Sequence, residues 1–303
     1  MDGVLIGLSV STAATPGADP VASATRAEEL GFDFVSASDH LHGRQPTYEP
    51  WTMLSWIAAA TSRVRVATRV LGVAYRPPAV LAKMAETFDR LSGGRLILGL
   101  GGGAVDEEFR AFGLPVRSPR DKVDGLEEAI RIARGLWSQP GFSFDGRLYR
   151  TDSADLEPKP DRHIPIWLGT YGNRALALTG RLADGWIPSL GYAPPERVVA
   201  MRERVLAAAR AAGRDPGEIT CAYNVGVRVD ERAGARTGSP GHPLGVPRTP
   251  PSAVVGSPAA VAERLLGFLE LGFTALSLIP LGPGEREQAE RLASEVVPAL
   301  RAA

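Results

Sequence analysis

Two hydrophobic periodicities alternate along the chain: short apolar runs, each followed by a turn and then by a longer segment whose apolar residues recur every three or four positions. Residues 4–10 predict a first strand. Asp19 as N-cap, Pro20 at the first helical position and Gly31 just past the end predict the helix after it. Residues 32–37 predict a second strand running into the polar patch Ser38, Asp39, His40, with a helix over residues 51–60. Residues 64–73, rich in β-branched side chains, predict one continuous third strand. After Pro77 and Pro78, the spacing of Leu81, Met84, Phe88 and Leu91 predicts a helix whose single apolar stripe faces the sheet. Residues 96–100 predict a fourth strand ending in Gly101, Gly102 and Gly103, and Val123, Leu126, Ile130, Ala133 and Trp137 share one face of the next helix. The rhythm breaks over residues 140–163, where 142–149 read as a small hairpin and Pro158-Lys159-Pro160 as an extended connection. Strands over 164–168, 185–188, 219–229 and 275–279 complete the set, alternating with helices around 173–182, 195–212, 259–270 and 285–301.

Eight strand–helix units without a change of composition half-way predict an α/β protein, a closed (β/α)8 TIM barrel with insertions, rather than an open doubly wound sheet. One domain, residues 1–303, is expected. The long Gly-, Pro- and Ser-rich stretch over 230–257 follows the seventh strand, so in a barrel it is expected over the functional face as a lid or mobile loop.

Composition narrows the function classes. Apolar residues make up 44% and charged residues 22%, values that allow a sizeable core. Lys plus Arg and Asp plus Glu both number 34, so no net field draws nucleic acid or an anionic membrane, and no basic stripe stands out. A lone cysteine, Cys221, excludes an internal disulfide and a cysteine-based zinc site; within the apolar run 219–229 it reads as a core thiol. The histidines His42, His163 and His242 lack ligand-like spacing, so no metal site is expected. With no signal peptide and no apolar stretch of spanning length, a cytoplasmic location is expected.

In a barrel, chemistry is sought at the strand ends, and four stand out: Asp39-His40 after the second strand, Tyr75-Arg76 after the third, the triple glycine after the fourth and residues 169–174 after the fifth. His40 is the best candidate acid or base, and Asp39 beside it a candidate orienting group; successive residues alternate in direction, so the two need not touch. A turn-capping Asp beside a surface His fits the same pattern. The run Gly101-Gly102-Gly103-Ala104 allows close backbone approach to a ligand, and Gly169-Thr170-Tyr171-Gly172-Asn173 precedes a helix, where free amides suit a phosphate. Tight-turn geometry alone also accounts for either run. Glu107 and Glu108 sit where a helix start favours acidic residues.

Three segments carry a resemblance: 27–33 leading into Ser38-Asp39-His40; 76–95, from Arg76-Pro77-Pro78 to Ser92-Gly93-Gly94-Arg95, with the glycines beyond; and Pro165 to Gly169 through Ala183-Asp184-Gly185-Trp186. Val255 to Val261 adds a fourth. Along nearly the whole chain they resemble the luciferase-like flavin- and deazaflavin-dependent oxidoreductases. The resemblance implies a ring over the barrel mouth, its phosphate held by backbone amides of Gly102, Gly103 and Ala104 on one side and Gly169, Thr170 and Tyr171 on the other. It also implies a non-prolyl cis peptide behind the ring, at Arg69-Val70. Asp39-His40 resembles the branch that uses coenzyme F420 for hydride transfer to or from a small organic substrate, with His40 as the proton-transfer group and Asp39 supporting it. Members of that branch often carry a glutamate near the glycine run, where this chain has Ala104. The alternatives are an FMN-dependent monooxygenase fed by a partner flavin reductase, and a non-catalytic flavin-binding barrel. A phosphosugar isomerase or aldolase ranks last, because Lys83, Lys122 and Lys159 do not fall at strand ends. The resemblance implies a homodimer.

Overall fold

The computed structural model describes residues 3–231, 253–282 and 284–303. Its strands are β1 (Leu5–Ser9), β2 (Phe34–Ala37), β3 (Arg65–Thr68), β4 (Leu71–Gly72), β5 (Leu96–Gly101), β6 (Phe142–Asp145), β7 (Arg150–Ala154), β8 (Ile166–Leu168), β9 (Gly185–Trp186), β10 (Thr220–Val229), β11 (Ala253–Gly256) and β12 (Ala275–Pro280). The helices are α1 (Pro20–Glu29), α2 (Pro50–Ala60), α3 (Pro78–Leu91), α4 (Asp106–Ala111), α5 (Pro119–Ser138), α6 (Asn173–Leu182), α7 (Pro195–Ala211), α8 (Pro258–Glu270), α9 (Glu285–Arg291) and α10 (Val297–Arg301), the last two joined by a π-helical turn, Leu292–Val296. Parallel pairing runs β10, β12, β1, β2, β3, β5, β8, β9, and β9 pairs back to β10, so the barrel closes with eight staves, as expected.

Local signals explain the elements. Asp19 caps α1 by accepting from the amide of Ala22, Pro20 opens the helix, and Gly31 beyond it has a positive φ. The antiparallel pair β6 and β7 forms a hairpin where one was expected, but it is longer than 142–149, its second strand running from Arg150 to Ala154. Four expectations change. The third strand divides into β3 and β4, both pairing with β5, around an Arg69-Val70 bond that is cis. On α3 the buried face is Leu81, Ala82, Ala85 and Phe88, because alanines let the helix approach the barrel closely, while Leu91 at the end of the helix is 83% exposed. The C-terminal helix is interrupted by its π turn. Within the stretch expected to be irregular, β11 lines up beside β10; the lid expected there falls largely on 232–252, outside the described residues.

Strand alternation sorts the core into an outer shell against the helices and a ring inside the barrel. Every stave contributes one side chain to that ring: Leu5, Phe34, Ala67, Ile97, Trp167, Ile187, Ala222 and Ala275. Two residues further along, on the same face of each stave, stand Gly7, Ser36, Arg69, Gly99, Gly169, Ser189, Asn224 and Ser277. The interior therefore changes within one layer from bulky and apolar to small and polar, and it opens towards the C-terminal ends of the strands. Behind the closed end, the buried Arg95 spends its five N–H groups on Ser92 O, Thr61 Oγ1, Val64 O, Ala58 O and Thr61 O at 2.5–3.1 Å, stitching α2 to β3 and β5.

Candidate active site at the barrel mouth

His40 follows β2 and is partly exposed at the open end. Its Nδ1 lies 2.9 Å from Oε1 of Glu108, whose side chain is almost wholly buried. The Tyr75 hydroxyl donates to the other oxygen of the same carboxylate. Burial pushes the Glu108 carboxyl up, but the hydrogen bonds from His40 and Tyr75 outweigh it and hold the group below its ordinary value. Burial, with the Glu108 carboxylate adding to it, pushes the Tyr75 phenol far above its ordinary value, so Tyr75 stays a donor. The short helix α4 carries Glu108 and is pinned by its neighbour Phe109, which is buried, stacks on Tyr75 at 4.6 Å and fills the space a side chain at Gly103 would occupy.

Asp39 points elsewhere. Its buried carboxylate accepts from the Gly72 amide at 2.9 Å and from both ends of the Arg76 guanidinium at 3.0 and 3.3 Å, and Arg76 also pairs with Glu49, the N-cap of α2. Burial pushes the Asp39 carboxyl above its ordinary value against the pull of Arg76. The pair thus ties the β2 end to the β4 end and to α2, and so holds the loop on which His40 sits.

The two glycine-bearing loops leave adjacent staves, β5 and β8. Gly103 adopts a positive φ, and the amides of Gly103, Ala104, Thr170 and Tyr171 have no acceptor among the described residues. The N-cap of α6, Gly172, offers no side-chain cap, so the first turn of that helix adds further open donors. Between the loops, Val70 leans on glycines: a Cβ at Gly101 would lie 2.7 Å from it, one at Gly169 3.0 Å and one at Gly99 3.1 Å. Arg69 turns into the barrel and donates to Ser9 Oγ at 3.1 Å. The mouth thus combines an acid–base pair, an apolar wall at Val70 and an amide cradle, an arrangement suited to a flat phosphorylated molecule.

Residues 5–237 match the family described as luciferase-like monooxygenase. The chain belongs to that family. Among the curated relatives of this luciferase-like protein, an F420-dependent glucose-6-phosphate dehydrogenase of Beutenbergia cavernae is 30% identical over 319 residues, covering 94% of each chain. An F420-dependent hydroxymycolic acid dehydrogenase of Mycobacterium tuberculosis is 36% identical over 225 residues, 71% of this chain and 61% of the other. A solved F420-dependent secondary alcohol dehydrogenase, in complex with an F420-acetone adduct, shares the fold with a TM-score of 0.86 at 22% identity and covers 99% of both chains.

His40, Asp39, Arg69, Val70 and both glycine loops, which the sequence singled out, lie at one end of the barrel. The sequence did not single out Glu108: three acidic residues open α4, and their number fits a helix start so well that the one turned inward carries no separate mark. Tyr75 stood out by its place after the third strand, without a role assigned to it. Asn224 and Ser277 were findable, since each stands two positions beyond an apolar residue in a strand that should have stayed apolar.

Proposed function

We propose that this protein is an oxidoreductase that transfers a hydride between coenzyme F420 and a small organic substrate such as an alcohol, an enone or an imine. The observation that carries the reading is the His40–Glu108 pair at the mouth, 2.9 Å apart and backed by Tyr75. A lowered Glu108 stays ionised and accepts from Nδ1, which fixes the tautomer and leaves the substrate proton to the other face of the imidazole. Oxidising an alcohol sends its hydroxyl proton to His40 as the hydride leaves the adjacent carbon; reduction runs the same path backwards. Asp39 and Arg76 position the His40 loop.

The residues present fit the cofactor on two counts: a cradle of amides at Gly103, Ala104, Thr170 and Tyr171 that have no acceptor among the described residues, and a buried polar atom inside the barrel, Asn224 Oδ1, that lacks a hydrogen-bond partner among them too. Amides of Gly103, Ala104, Thr170 and Tyr171 would hold its phosphate and Val70 would back its ring. Bound there, F420 supplies a carbon that accepts or returns a hydride. The acid–base pair favours this over an FMN-dependent monooxygenase, whose reduced flavin activates oxygen. A homodimer is part of the proposal, supported by the apolar groove between α2 and α3, where Trp51, Met84 and Phe88 lie beneath Val80 and the exposed Leu91. So is a cytoplasmic location: no helix among the described residues is long and apolar enough to cross a membrane.

Titrating the protein with F420 and with FMN, followed by fluorescence, decides between the cofactors. Saturable binding of F420 at low micromolar concentration or tighter is expected; saturable binding of FMN with none of F420 sinks the reading.

A further inference from the structure

Polar side chains recur around the layer above the apolar ring. Arg69 donates to Ser9 Oγ; the Tyr171 hydroxyl accepts from the Ser189 amide at 3.1 Å; and Ser189 Oγ accepts from Asn224 Nδ2 at 2.7 Å. Asn224 pairs in register with Ser277, whose hydroxyl meets that of Ser36 at 3.1 Å. Six staves and the loop after β8 therefore place polar side chains in one girdle, and β5 adds only the glycines that accommodate Val70.

Within this girdle Asn224 is 3% exposed, and its amide nitrogen is committed to Ser189 while Oδ1 has no hydrogen-bond partner among the described residues. A buried carbonyl oxygen left this way carries its desolvation cost uncompensated, so its retention beneath an open mouth points to a donor arriving with a ligand. Arg69 offers the opposite, a permanent cation that only donates. An amide or imide edge engages both at once, with its C=O turned to the guanidinium and its N–H turned to Asn224. A carboxylate or phosphate accepts from the arginine and leaves Asn224 Oδ1 as it was; an aliphatic group engages neither.

We propose that Arg69 and Asn224 read the imide edge of the deazaflavin pyrimidine ring, the guanidinium donating to a ring carbonyl and Asn224 Oδ1 accepting from the ring N–H. This rests on the function proposed above. It gives Arg69, beside the Val70 wall, a positioning role: it anchors the far end of the ring while the cradle holds the phosphate. Ser277 and Ser36 lie next to Asn224 as further hydroxyls for the second carbonyl.

The test measures binding, not turnover. F420 and F420 methylated at the imide nitrogen are titrated by fluorescence against the wild type, Asn224→Leu and Arg69→Met, with circular dichroism to show that each variant is folded. The wild type binds F420 and rejects the methylated form by about tenfold or more. Asn224→Leu binds F420 about tenfold more weakly and no longer distinguishes the two, and Arg69→Met loses about tenfold for both while keeping the preference. The inference is overturned if the wild type binds F420 but both variants match it, if the preference survives in Asn224→Leu, or if the variants alter only the KM of a substrate. A wild type that binds no F420 overturns the proposed function and this inference together, an outcome distinct from the others.

Discussion

The two layers inside the barrel differ by two residues along every strand and by everything in their physical chemistry. The lower ring, with Phe34, Ile97, Trp167 and Ile187, is close-packed; Trp167 meets Phe34 edge-on at 5.7 Å, and Gly7 and Gly185 exist to let those two aromatic side chains fill the axis. The upper ring, built of glycine, serine, asparagine and arginine, has too little volume to close the same circle. A barrel of fixed radius is less fully filled by such small side chains than by the ring below. Stability and function are thus separated by height in one set of strands, and the boundary between them is one layer thick.

Breaking each layer should give different symptoms. The largest effect belongs above the upper ring: His40→Ala should lower kcat about 10²–10⁴-fold while the melting temperature stays close to the wild type, measured by steady-state kinetics and thermal denaturation. Retention of full turnover would remove His40 from the chemistry. In the lower ring, Trp167→Ala should cost about 3–5 kcal/mol of unfolding free energy by denaturant titration, with kcat intact in whatever fraction remains folded. A smaller effect should come from the boundary. Gly101→Ala sets a methyl group 2.7 Å from Val70, so Val70 must move into the mouth, weakening cofactor affinity about tenfold and costing about 1–3 kcal/mol of stability.

The smallest effect is electrostatic. Glu108 is held below its ordinary value near 4.5, so its contribution to stability is complete above that pH and is lost as the pH falls through the lower value it has in the folded chain. Thermal melting of the wild type from pH 6 down to pH 3 should therefore fall more steeply than that of Glu108→Gln, which has no such proton to take up. Equal slopes would place the loss elsewhere.

The sequence made much of this visible, and unevenly so. Helix caps such as Asp19 and the eight-fold alternation are local signals, and local signals survive in a single chain. The division of the third strand at Arg69-Val70 was hidden because 64–73 is β-branched on both sides of the break. Glu108 was hidden for a different reason: its meaning comes from His40 and Tyr75, 68 and 33 residues away, which only the closed barrel brings together. Asp39 was read as a group supporting His40, and its carboxylate is bound to Arg76 and Gly72. Adjacent positions at a strand end point apart, which the alternation had allowed.

Arg95, behind the closed end, belongs to one of the segments that carry the family resemblance, yet its hydrogen bonds reach nothing at the mouth. Its five bonds hold a helix to two strands, so losing it leaves several buried carbonyls without donors and lowers the fraction of chains that are folded at any moment. In a cell, folded fraction is read by proteases as abundance. A substitution at Arg95 would therefore be felt as scarcity of an otherwise competent catalyst, and, on the role proposed for His40, one there as plenty of an idle one.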